Sequence, residues 1–343
     1  MREPPTATPL SHARSGPIPG GPPAARLHVR YALATALVAA FAALPALAPT
    51  LADPLTIVLA LGLAALAVAL LMRAGLISFG HALYYAAGAY AVAYANRWSP
   101  RMDVAGLLVL GAAAGGLIAW LVALLIVRYR GVFFAMLNLA LAMVAYTLLL
   151  KLYNITGGSD GLPVSAHSIV GAVLTPDVFR RGLFYLTLAI TLGAGAIVTR
   201  YLDSPAGWAL GAIAASEIRV EYLGISTRRV LTAAYIISGV LAGLGGAIVA
   251  IDVGRVVADL AYWTTSSDFL FVAILGGSGT VFGPFAGAVI YEWLSLFGAR
   301  YMASSWNLVL GLLIIGILRL APEGIWGLMR PRRKGLVRER HAA

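Results

Sequence analysis

The amino-acid sequence predicts an all-α integral membrane protein with about eight to ten transmembrane helices, including broken or re-entrant elements. Of its 343 residues, 60% are hydrophobic and only 11% are charged, and the mean hydropathy is +0.87. An average soluble chain carries about 25% charged residues. The polar surface is therefore too small to cover a water-exposed body of this size. Long stretches of Gly and Ala among apolar residues are also typical of membrane helices.

Charge and cysteine content narrow the possible partners and chemistry. The net charge is +11, but the basic residues lie between apolar runs and in the two tails, so no nucleic-acid partner is expected. The chain has no cysteine, which excludes disulfides, thiolate metal sites and a thiol nucleophile. The sequence contains no G-x-x-x-x-G-K-[ST] loop that would bind a nucleotide phosphate. We expect no metal and no cofactor.

Two tails flank the apolar part of the chain. Residues 1–30 are rich in Pro, Gly, Ala and Ser and predict a disordered cytoplasmic tail, whereas residues 329–343 form a basic cytoplasmic tail. Between them, residues 31–328 form the transmembrane domain. Its first apolar run, 31–48, resembles a signal peptide that ends at Ala46-Leu47-Ala48, but its length favours an uncleaved first span.

The remaining apolar runs predict the other membrane-crossing elements in order. They lie at 54–72, 78–95, 104–127, 131–151, 183–199 and 229–251, followed by an interrupted run at 268–297 and a last one at 306–321. With the N-terminal tail in the cytoplasm, alternation places Arg73, Arg128, Arg130 and the 200–228 loop inside. This agrees with the excess of basic residues expected in cytoplasmic loops.

The run at 268–297 must reverse direction, because counting it as one span would place the basic C-terminal tail outside. A cluster of small residues interrupts it after a piece too short to cross a bilayer: Gly276, Gly277, Ser278, Gly279, Gly283 and Pro284. Backbone broken at membrane depth is tolerated only where it is buried in protein or lines a polar cavity. These residues are therefore candidates for a transport path, with a glycine cluster for helix packing as the alternative.

A second segment of small residues precedes the predicted span at 78–95. Its Phe79-Gly80 pair echoes Phe282-Gly283, as an internal repeat would. Gly80 and His81 are candidates for the same path, because an ionisable side chain within an apolar run is costly and points to function. A hydrogen-bonded interior histidine is the alternative. The same two interpretations apply to Glu292, and Asn138 is a candidate for a hydrogen bond between helices.

Four stretches in register resemble the permease subunits of the branched-chain amino acid ABC transporters, the LivM type. They are Gly75 to His81 with Gly88-Ala89-Tyr90; Phe133 to Met136 leading to Thr156-Gly157-Gly158-Ser159-Asp160-Gly161; Trp208 to Gly224 with the glycine-rich segment 238–247; and Leu275 to Pro284 with a closing Ala321-Pro322-Glu323-Gly324-Ile325. The resemblance covers roughly residues 54–328, and the Thr156 to Gly161 stretch distinguishes this type from its sister subunits.

The resemblance implies a pore-forming subunit of an ATP-driven importer for branched-chain or related small amino acids in a bacterial inner membrane. Its implied partners are two cytoplasmic ABC ATPase subunits, a second permease, a soluble solute-binding protein and the surrounding membrane lipid. ATP hydrolysis would belong to the ATPase subunits, so the chain itself is not expected to be an enzyme. Close relatives of this type also carry urea or short amides, which leaves the solute open.

Two loops carry further candidate residues. In the 200–228 loop, a short amphipathic helix ended by Gly224 would present a knob to an ATPase groove; the resemblance implies this coupling role for Glu217 and Gly224, with Arg219 and Glu221 on the same helix. Trp208 and Gly211 stand where such permeases often have basic residues. In the other loop, the glycines allow the backbone N–H groups to face a solute carboxylate or the binding protein. Its path or gating candidates are Gly157, Gly158, Ser159 and Asp160, and an ordinary structural turn is the alternative.

Sequence features also allow two functions other than an importer. The Gly276-Gly277-Ser278-Gly279 stretch also matches the G-x-S-G pattern of intramembrane serine proteases, which need a base near the serine. The only downstream histidine is His341 in the basic tail, and His81 would have to approach from far upstream. An ion-coupled secondary transporter would use buried carboxylates as relays. The predicted spans offer almost none beyond Glu292.

Overall fold

The computed structural model describes residues 39–99, 102–165, 168–169 and 171–301, with isolated positions between 308 and 324. The chain divides into two compact units, Met1–Leu47 and Ala48–Ala343. In the first unit, residues 39–47 form helix α1. The predicted 1–30 tail, the first part of the 31–48 run, most of the 306–321 run and the basic C-terminal tail lie outside the described residues.

The second unit is built almost entirely from helices, which confirms the predicted all-α membrane architecture. They are α2 (Ala52–Met72), α3 (His81–Trp98), α4 (Val104–Ile126), α5 (Gly131–Lys151), α6 (Tyr153–Thr156), α7 (Pro176–Leu202), α8 (Pro205–Ala215), α9 (Glu217–Tyr222), α10 (Thr227–Val253), α11 (Trp263–Gly276) and α12 (Gly283–Tyr301). Short 3-10 turns occupy Pro49–Leu51 and Ala258–Ala261. Two small antiparallel sheets pair β1 (Leu162–Pro163) with β4 (Arg255–Val256) and β2 (Ser168–Ile169) with β3 (Ala172–Val173).

Five helical stretches in the described part of the chain are long and apolar enough to cross a membrane: Pro49–Met72, Val104–Ile126, Gly131–Lys151, Pro176–Leu202 and Thr227–Val253. Each corresponds to a run expected from the sequence. Helix α3 begins at His81 rather than at residue 78, because Ser78, Phe79 and Gly80 form a non-helical segment. Helices α11 and α12 are the two pieces of the interrupted run.

Burial differs sharply between the spans. Helix α2 is central: 89% of the 18-residue apolar stretch that represents this span is buried inside the protein. There the helix packs against α7, α10, α11 and α12. A helix that is apolar on every side belongs in such a core. In helix α5, only 17% of the corresponding 18-residue stretch is buried. Most of α5 therefore faces the surroundings of the single chain.

Glycines bring α3, α4 and α10 into close contact. A Cβ atom on Gly88 would fall well inside 3.0 Å of the Gly243 carbonyl oxygen, and one on Gly115 would overlap the Gly239 carbonyl oxygen in the same way. Small residues allow membrane helices to approach closely enough for backbone contact. The glycines at 88 and 243 therefore set the spacing of these helices.

Candidate functional site

The loop expected to be cytoplasmic folds into two helices. Ser204 caps α8, where its Oγ accepts a hydrogen bond from the Gly207 N–H at 3.4 Å. Ser216, in an extended conformation, separates α8 from α9. Gly224 follows α9 with φ of 80°, a left-handed conformation that Gly adopts readily. The short helix predicted before Gly224 is present.

Glu217 at the start of α9 faces into the protein. Arg130 donates to both of its carboxylate oxygens, with Nε to Oε2 at 2.8 Å and Nη2 to Oε1 at 2.6 Å. Thr227 Oγ1 lies 3.0 Å from Glu217 Oε1 and 2.7 Å from Glu221 Oε1, so its hydroxyl serves either carboxylate. We call Arg130, Glu217 and Thr227 the Glu217 clasp. It joins α9 to the first residues of α5 and α10.

Arg130 also closes the end of α4. Its Nη1 donates to the carbonyl oxygens of Val127 and Tyr129, the latter at 2.9 Å. Unsatisfied carbonyl groups at a helix C-terminus are stabilised by such cationic donors. One side chain thus holds α4, α5 and α9 together.

The clasp should weaken in acid. The Arg130 hydrogen bonds hold the pKa of Glu217 below its ordinary value of 4.5, although burial opposes this. A lowered folded-state pKa stabilises the protein above the ordinary pKa and ceases to do so as the pH falls through the folded value. We expect Glu217→Gln to lower the thermal midpoint of the purified protein at pH 7. The difference from the unaltered chain should shrink as the pH falls below 4.5, and a difference that does not change with pH in acid would contradict this.

The outer face of the same loop is apolar. Trp208, Ile218, Tyr222 and Leu223 are exposed by 75%, 67%, 88% and 78% respectively. We call these four residues the apolar knob. Arg219, Glu221 and Gly224 are also exposed beside it. Of the four predicted coupling residues, Glu217 is partly buried in the clasp, Glu221 is exposed but also bonds Thr227, and Arg219 and Gly224 are exposed.

His81 lies in the interior of the bundle, at the start of α3 and beside the middle of α10. Its Nδ1 is 3.0 Å from Ser78 Oγ and its Nε2 is 3.3 Å from Ser238 Oγ. Ser238 donates its own proton to the Tyr235 carbonyl oxygen at 2.8 Å, so it accepts from Nε2, and Ser78 then donates to Nδ1. The imidazole is neutral in this arrangement. It is fully buried and has both nitrogens satisfied.

The non-helical segment before His81 is held by α5 and α11. A Cβ atom on Gly80 would lie 2.9 Å from both the carbonyl and the Oδ1 oxygens of Asn138. The Ala82 N–H, in the first turn of α3, donates to Ser266 Oγ at 2.8 Å. This contact satisfies a helix-terminal N–H group that would otherwise lack a partner in the bundle.

A second hydrogen-bonded chain crosses the interior next to His81. Tyr84 donates to Tyr235 Oη at 2.7 Å, since the Tyr235 hydroxyl itself donates to Asn138 Oδ1. Asn138 Nδ2 donates to the Phe134 carbonyl oxygen at 2.8 Å. The prediction that Asn138 bonds between helices is met through its side-chain oxygen, which joins α5 to α10.

The Thr156 to Gly161 segment is a tightly closed turn. The N–H groups of Gly157, Asp160 and Gly161 donate to backbone carbonyls at 2.9–3.0 Å, and the Gly158 N–H donates to Thr156 Oγ1 at 3.3 Å. Glycines 157, 158 and 161 have φ of 72°, 50° and 73°. A Cβ atom on Gly161 would overlap the Val256 carbonyl oxygen. These four N–H groups are therefore directed into the turn, as in an ordinary structural turn.

Asp160 has two contacts around this turn. Its carboxylate accepts a hydrogen bond from the Tyr153 hydroxyl, which raises the pKa of Tyr153. Its carbonyl oxygen accepts from Arg255 Nη1 at 2.6 Å. The pairing of β1 with β4 continues the link between this turn and the residues after α10.

The predicted interruption of the last apolar run occupies residues 277–282. Helices α11 and α12 pack together on either side of it, and a Cβ atom on Gly276 or on Gly287 would overlap the backbone of the other helix. Gly277 has φ of 96°. Arg73, just after α2, donates from Nη2 to the Gly279 carbonyl oxygen at 2.8 Å. The glycines thus form both a chain reversal and a packing contact.

The candidate residues do not converge on one point. Arg130 of the Glu217 clasp directly precedes α5, and the Thr156 to Gly161 turn lies beyond the other end of this helix. Helix α5 has 21 residues, a length of about 31 Å. His81 lies between these two levels. Sequence reasoning missed Arg130 and Thr227 as site residues, because Arg130 is 87 positions from Glu217 and only the fold brings them together.

The helices carry more partly buried carboxylates than the predicted spans suggested. Glu292 is half-buried on α12, but Asp252 on α10 and Asp268 on α11 are half-buried as well. Asp268 forms a hydrogen bond with Tyr291. Among the described residues, no group of three or more His, Cys, Asp or Glu side chains is placed to hold a metal ion.

Comparison with known proteins gives a consistent picture. The family described as branched-chain amino acid transport system / permease component matches residues 50–318. The chain is 28% identical over 291 residues to the high-affinity branched-chain amino acid transport system permease protein LivM of Escherichia coli (strain K12) and 27% identical to that of Salmonella typhimurium (strain LT2). The alignments cover 76% of this chain and 66% of each relative, slightly under two thirds of their length. No solved structure matches the chain.

Proposed function

The chain belongs to the permease family of branched-chain amino acid transport systems, and from this membership we propose that it is the pore-forming subunit of an ATP-driven importer. The resemblance seen in its motifs is confirmed, and so is the prediction that it is a transport component rather than an enzyme. The proposed solutes are branched-chain or related small amino acids.

The protein is a multi-pass membrane protein. We propose that it lies in a bacterial inner membrane with the Glu217 clasp on the cytoplasmic side. The basic residues Arg73, Arg128 and Arg130 support this orientation, because cytoplasmic loops carry an excess of Lys and Arg. The Thr156 to Gly161 turn would then face the outside, where the proposed solute-binding protein docks.

The single structural observation that carries the importer proposal is the apolar knob. Four exposed apolar side chains, one of them 88% exposed, occur on a short helix pair outside the spans. Apolar side chains of this size in a polar loop are typical of a protein contact. An ATPase groove is the proposed partner. The exposed length of α5 offers a second contact, for which we propose the partner permease.

The proposed mechanism is alternating access driven by the ATPases. Closure of the ATPases would displace α9, and the Glu217 clasp would pass this displacement to α5 and α10. Both helices continue into the hydrogen-bonded interior, where α10 contributes Tyr235 and Ser238 and α5 contributes Asn138. Movement of α10 would therefore disturb the contacts of His81 and Gly80, which we propose line the path together with the 276–284 reversal.

Copurification tests the importer proposal. The chain, tagged away from its basic C-terminus, would be extracted in mild detergent and its partners identified by mass spectrometry. We expect an ATPase subunit and a second permease. A stable particle of this chain alone, with ion-gradient-driven uptake in proteoliposomes, would instead support the secondary transporter, for which the half-buried Asp252, Asp268 and Glu292 are the candidate relays.

The same purified complex also tests the solute. Reconstituted with its binding protein, it is expected to accumulate branched-chain amino acids on addition of ATP. ATP-dependent accumulation of urea or short amides without amino acids would retain the importer and change its substrate class.

A further inference from the structure

A group of aromatic side chains surrounds a carboxylate at the end of the bundle opposite the Glu217 clasp. The 3-10 turn Ala258–Ala261 contacts both α3 and α5 there. Tyr146 lies fifteen residues beyond the first residue of α5, about 22 Å along the helix from the clasp. We call Tyr90, Tyr94, Tyr146, Tyr262 and Asp259 the Asp259 box. None of these residues is part of the site described above.

The backbone of Asp259 is fixed by hydrogen bonds, whereas its side chain is exposed. The Asp259 carbonyl oxygen accepts hydrogen bonds from the Tyr262 N–H at 3.0 Å and from Thr265 Oγ1 at 3.2 Å. These bonds fix the turn without engaging the side chain. Among the described residues, the one hydrogen bond to the side chain comes from the Tyr146 hydroxyl, 3.4 Å from Oδ1. Most of the hydrogen-bonding capacity of this carboxylate is therefore free for a donor.

Aromatic rings form the walls. The Tyr146 and Tyr262 ring centroids are 4.8 Å apart, and those of Tyr90 and Tyr94 are 6.5 Å apart. The Tyr94 hydroxyl donates to the Ile155 carbonyl oxygen at 2.8 Å, which fixes this ring against the segment before the Thr156 to Gly161 turn. The box thus has two aromatic pairs, one on α3 and one spanning α5 and the loop before α11.

The Tyr90 hydroxyl is a second polar group of the box. Tyr90 is only 5% exposed, yet its buried hydroxyl has no hydrogen-bond partner among the described residues. Tyr90 lies on α3, which contacts the 3-10 turn that carries Asp259. A buried hydroxyl without a partner is costly. A hydrogen-bond donor placed between Tyr90 and Asp259 would satisfy both groups.

The chemistry of the box selects a small organic cation. A carboxylate and the negative faces of aromatic rings both attract a positive charge, and the tyrosine oxygens accept hydrogen bonds. A ligand whose only charge is a carboxylate or phosphate would be repelled by Asp259. A single carboxylate is too few ligands for a bare divalent ion. A primary ammonium has three donors, which matches Asp259, Tyr90 and the aromatic walls.

We propose that the Asp259 box binds the α-ammonium group of an amino acid as it enters the translocation path. This inference rests on the proposed function and deepens it, because urea and simple amides carry no ammonium group. The box also lies next to elements that lead to buried polar residues. Helix α3 joins Tyr90 to His81, α5 joins Tyr146 to Asn138, and α11, which begins just after Tyr262, carries Ser266.

The test uses the complete complex in proteoliposomes, with its binding protein and L-leucine as the probe. We expect Asp259→Asn to reduce ATP-dependent leucine uptake about tenfold while ATP hydrolysis stimulated by the loaded binding protein is retained, because the ATPase contact is at the other end of the bundle. Tyr90→Phe, which removes only the unpartnered hydroxyl, should reduce uptake by a smaller factor. Asp259→Glu keeps the charge and should restore part of it.

The control is Asp177→Asn, an exposed aspartate in the first turn of α7, which should transport leucine like the unaltered complex. Normal leucine uptake by Asp259→Asn would overturn the box and leave the importer intact. A complex that carries urea but no leucine would also overturn the box alone. Failure of the unaltered chain to form an ATP-driven complex would instead overturn the proposed function.

Discussion

Glu217→Arg is expected to lower solute-stimulated ATP hydrolysis by the assembled complex at least tenfold. The substitution places a second guanidinium against Arg130, in a pair whose side chains are only 31% and 30% exposed. Breaking such a pair while leaving one charge partly buried costs several kcal/mol, about 2–5 for comparable charge pairs. The first turns of α5 and α10 would then separate from α9. The measurement is ATP hydrolysis in proteoliposomes with and without the loaded binding protein.

Three further variants separate the clasp from other effects of the substitution. The exchange Arg130→Glu with Glu217→Arg keeps the opposite charges and should recover part of the stimulation. Asp203→Asn, in the same loop but exposed, should leave it unchanged. Gly224→Pro should impair it, because proline cannot adopt the φ of 80° found there. Undiminished stimulation in an assembled Glu217→Arg or Gly224→Pro complex would contradict the coupling role of this loop.

Gly88→Ala is expected to destabilise the protein by about 3 kcal/mol or more, although it adds a single methyl group. The new Cβ would overlap the Gly243 carbonyl oxygen well inside 3.0 Å. Backbone cannot rotate away as a side chain can, so α3 and α10 would have to separate along their contact. The thermal midpoint of the purified protein, followed by fluorescence-detected size exclusion, should fall sharply or the yield of folded protein should collapse.

Gly193→Ala is the matched control for this prediction. Gly193 is also in a helix, but a Cβ atom there meets nothing within 4 Å. Alanine has the higher helix propensity, by up to about 1 kcal/mol, so this variant should be as stable as the unaltered chain or slightly more so. Equal thermal midpoints for Gly88→Ala and Gly193→Ala would show that the glycine contact does not set the spacing of α3 and α10.

Much of the fold follows from the sequence because membrane helices are constrained one at a time. The runs at 54–72, 104–127 and 131–151 match α2, α4 and α5 within a few residues, since each helix must satisfy its own backbone hydrogen bonds and reach across the apolar layer. The reversal near Gly277 was also predicted from length, because the apolar segment before it is too short to cross a bilayer. The expected cytoplasmic position of the basic tail led to the same prediction.

The individual sites were predicted less completely, because a candidate residue was visible without its partners. A coupling role was predicted for Glu217, and the structure adds Arg130 and Thr227 as the partners of its carboxylate. His81 was expected to need a partner that the sequence could not identify, and Ser78 and Ser238 fill this place. The glycines at 157, 158 and 161 were expected either to present N–H groups or to form a turn, and the backbone hydrogen bonds close the turn.

The sequence by itself determined that this chain is a helical membrane protein of the branched-chain permease family, with its spans, its reversal and its polar loops in order. Those properties depend on local composition, length and motif, which a linear pattern records. Only the tertiary structure decided which side chains meet: Arg130 with Glu217, His81 with Ser238, and Tyr146 with Asp259. Each of these pairs joins different elements, so their contact depends on how the helices pack, which a linear pattern does not record.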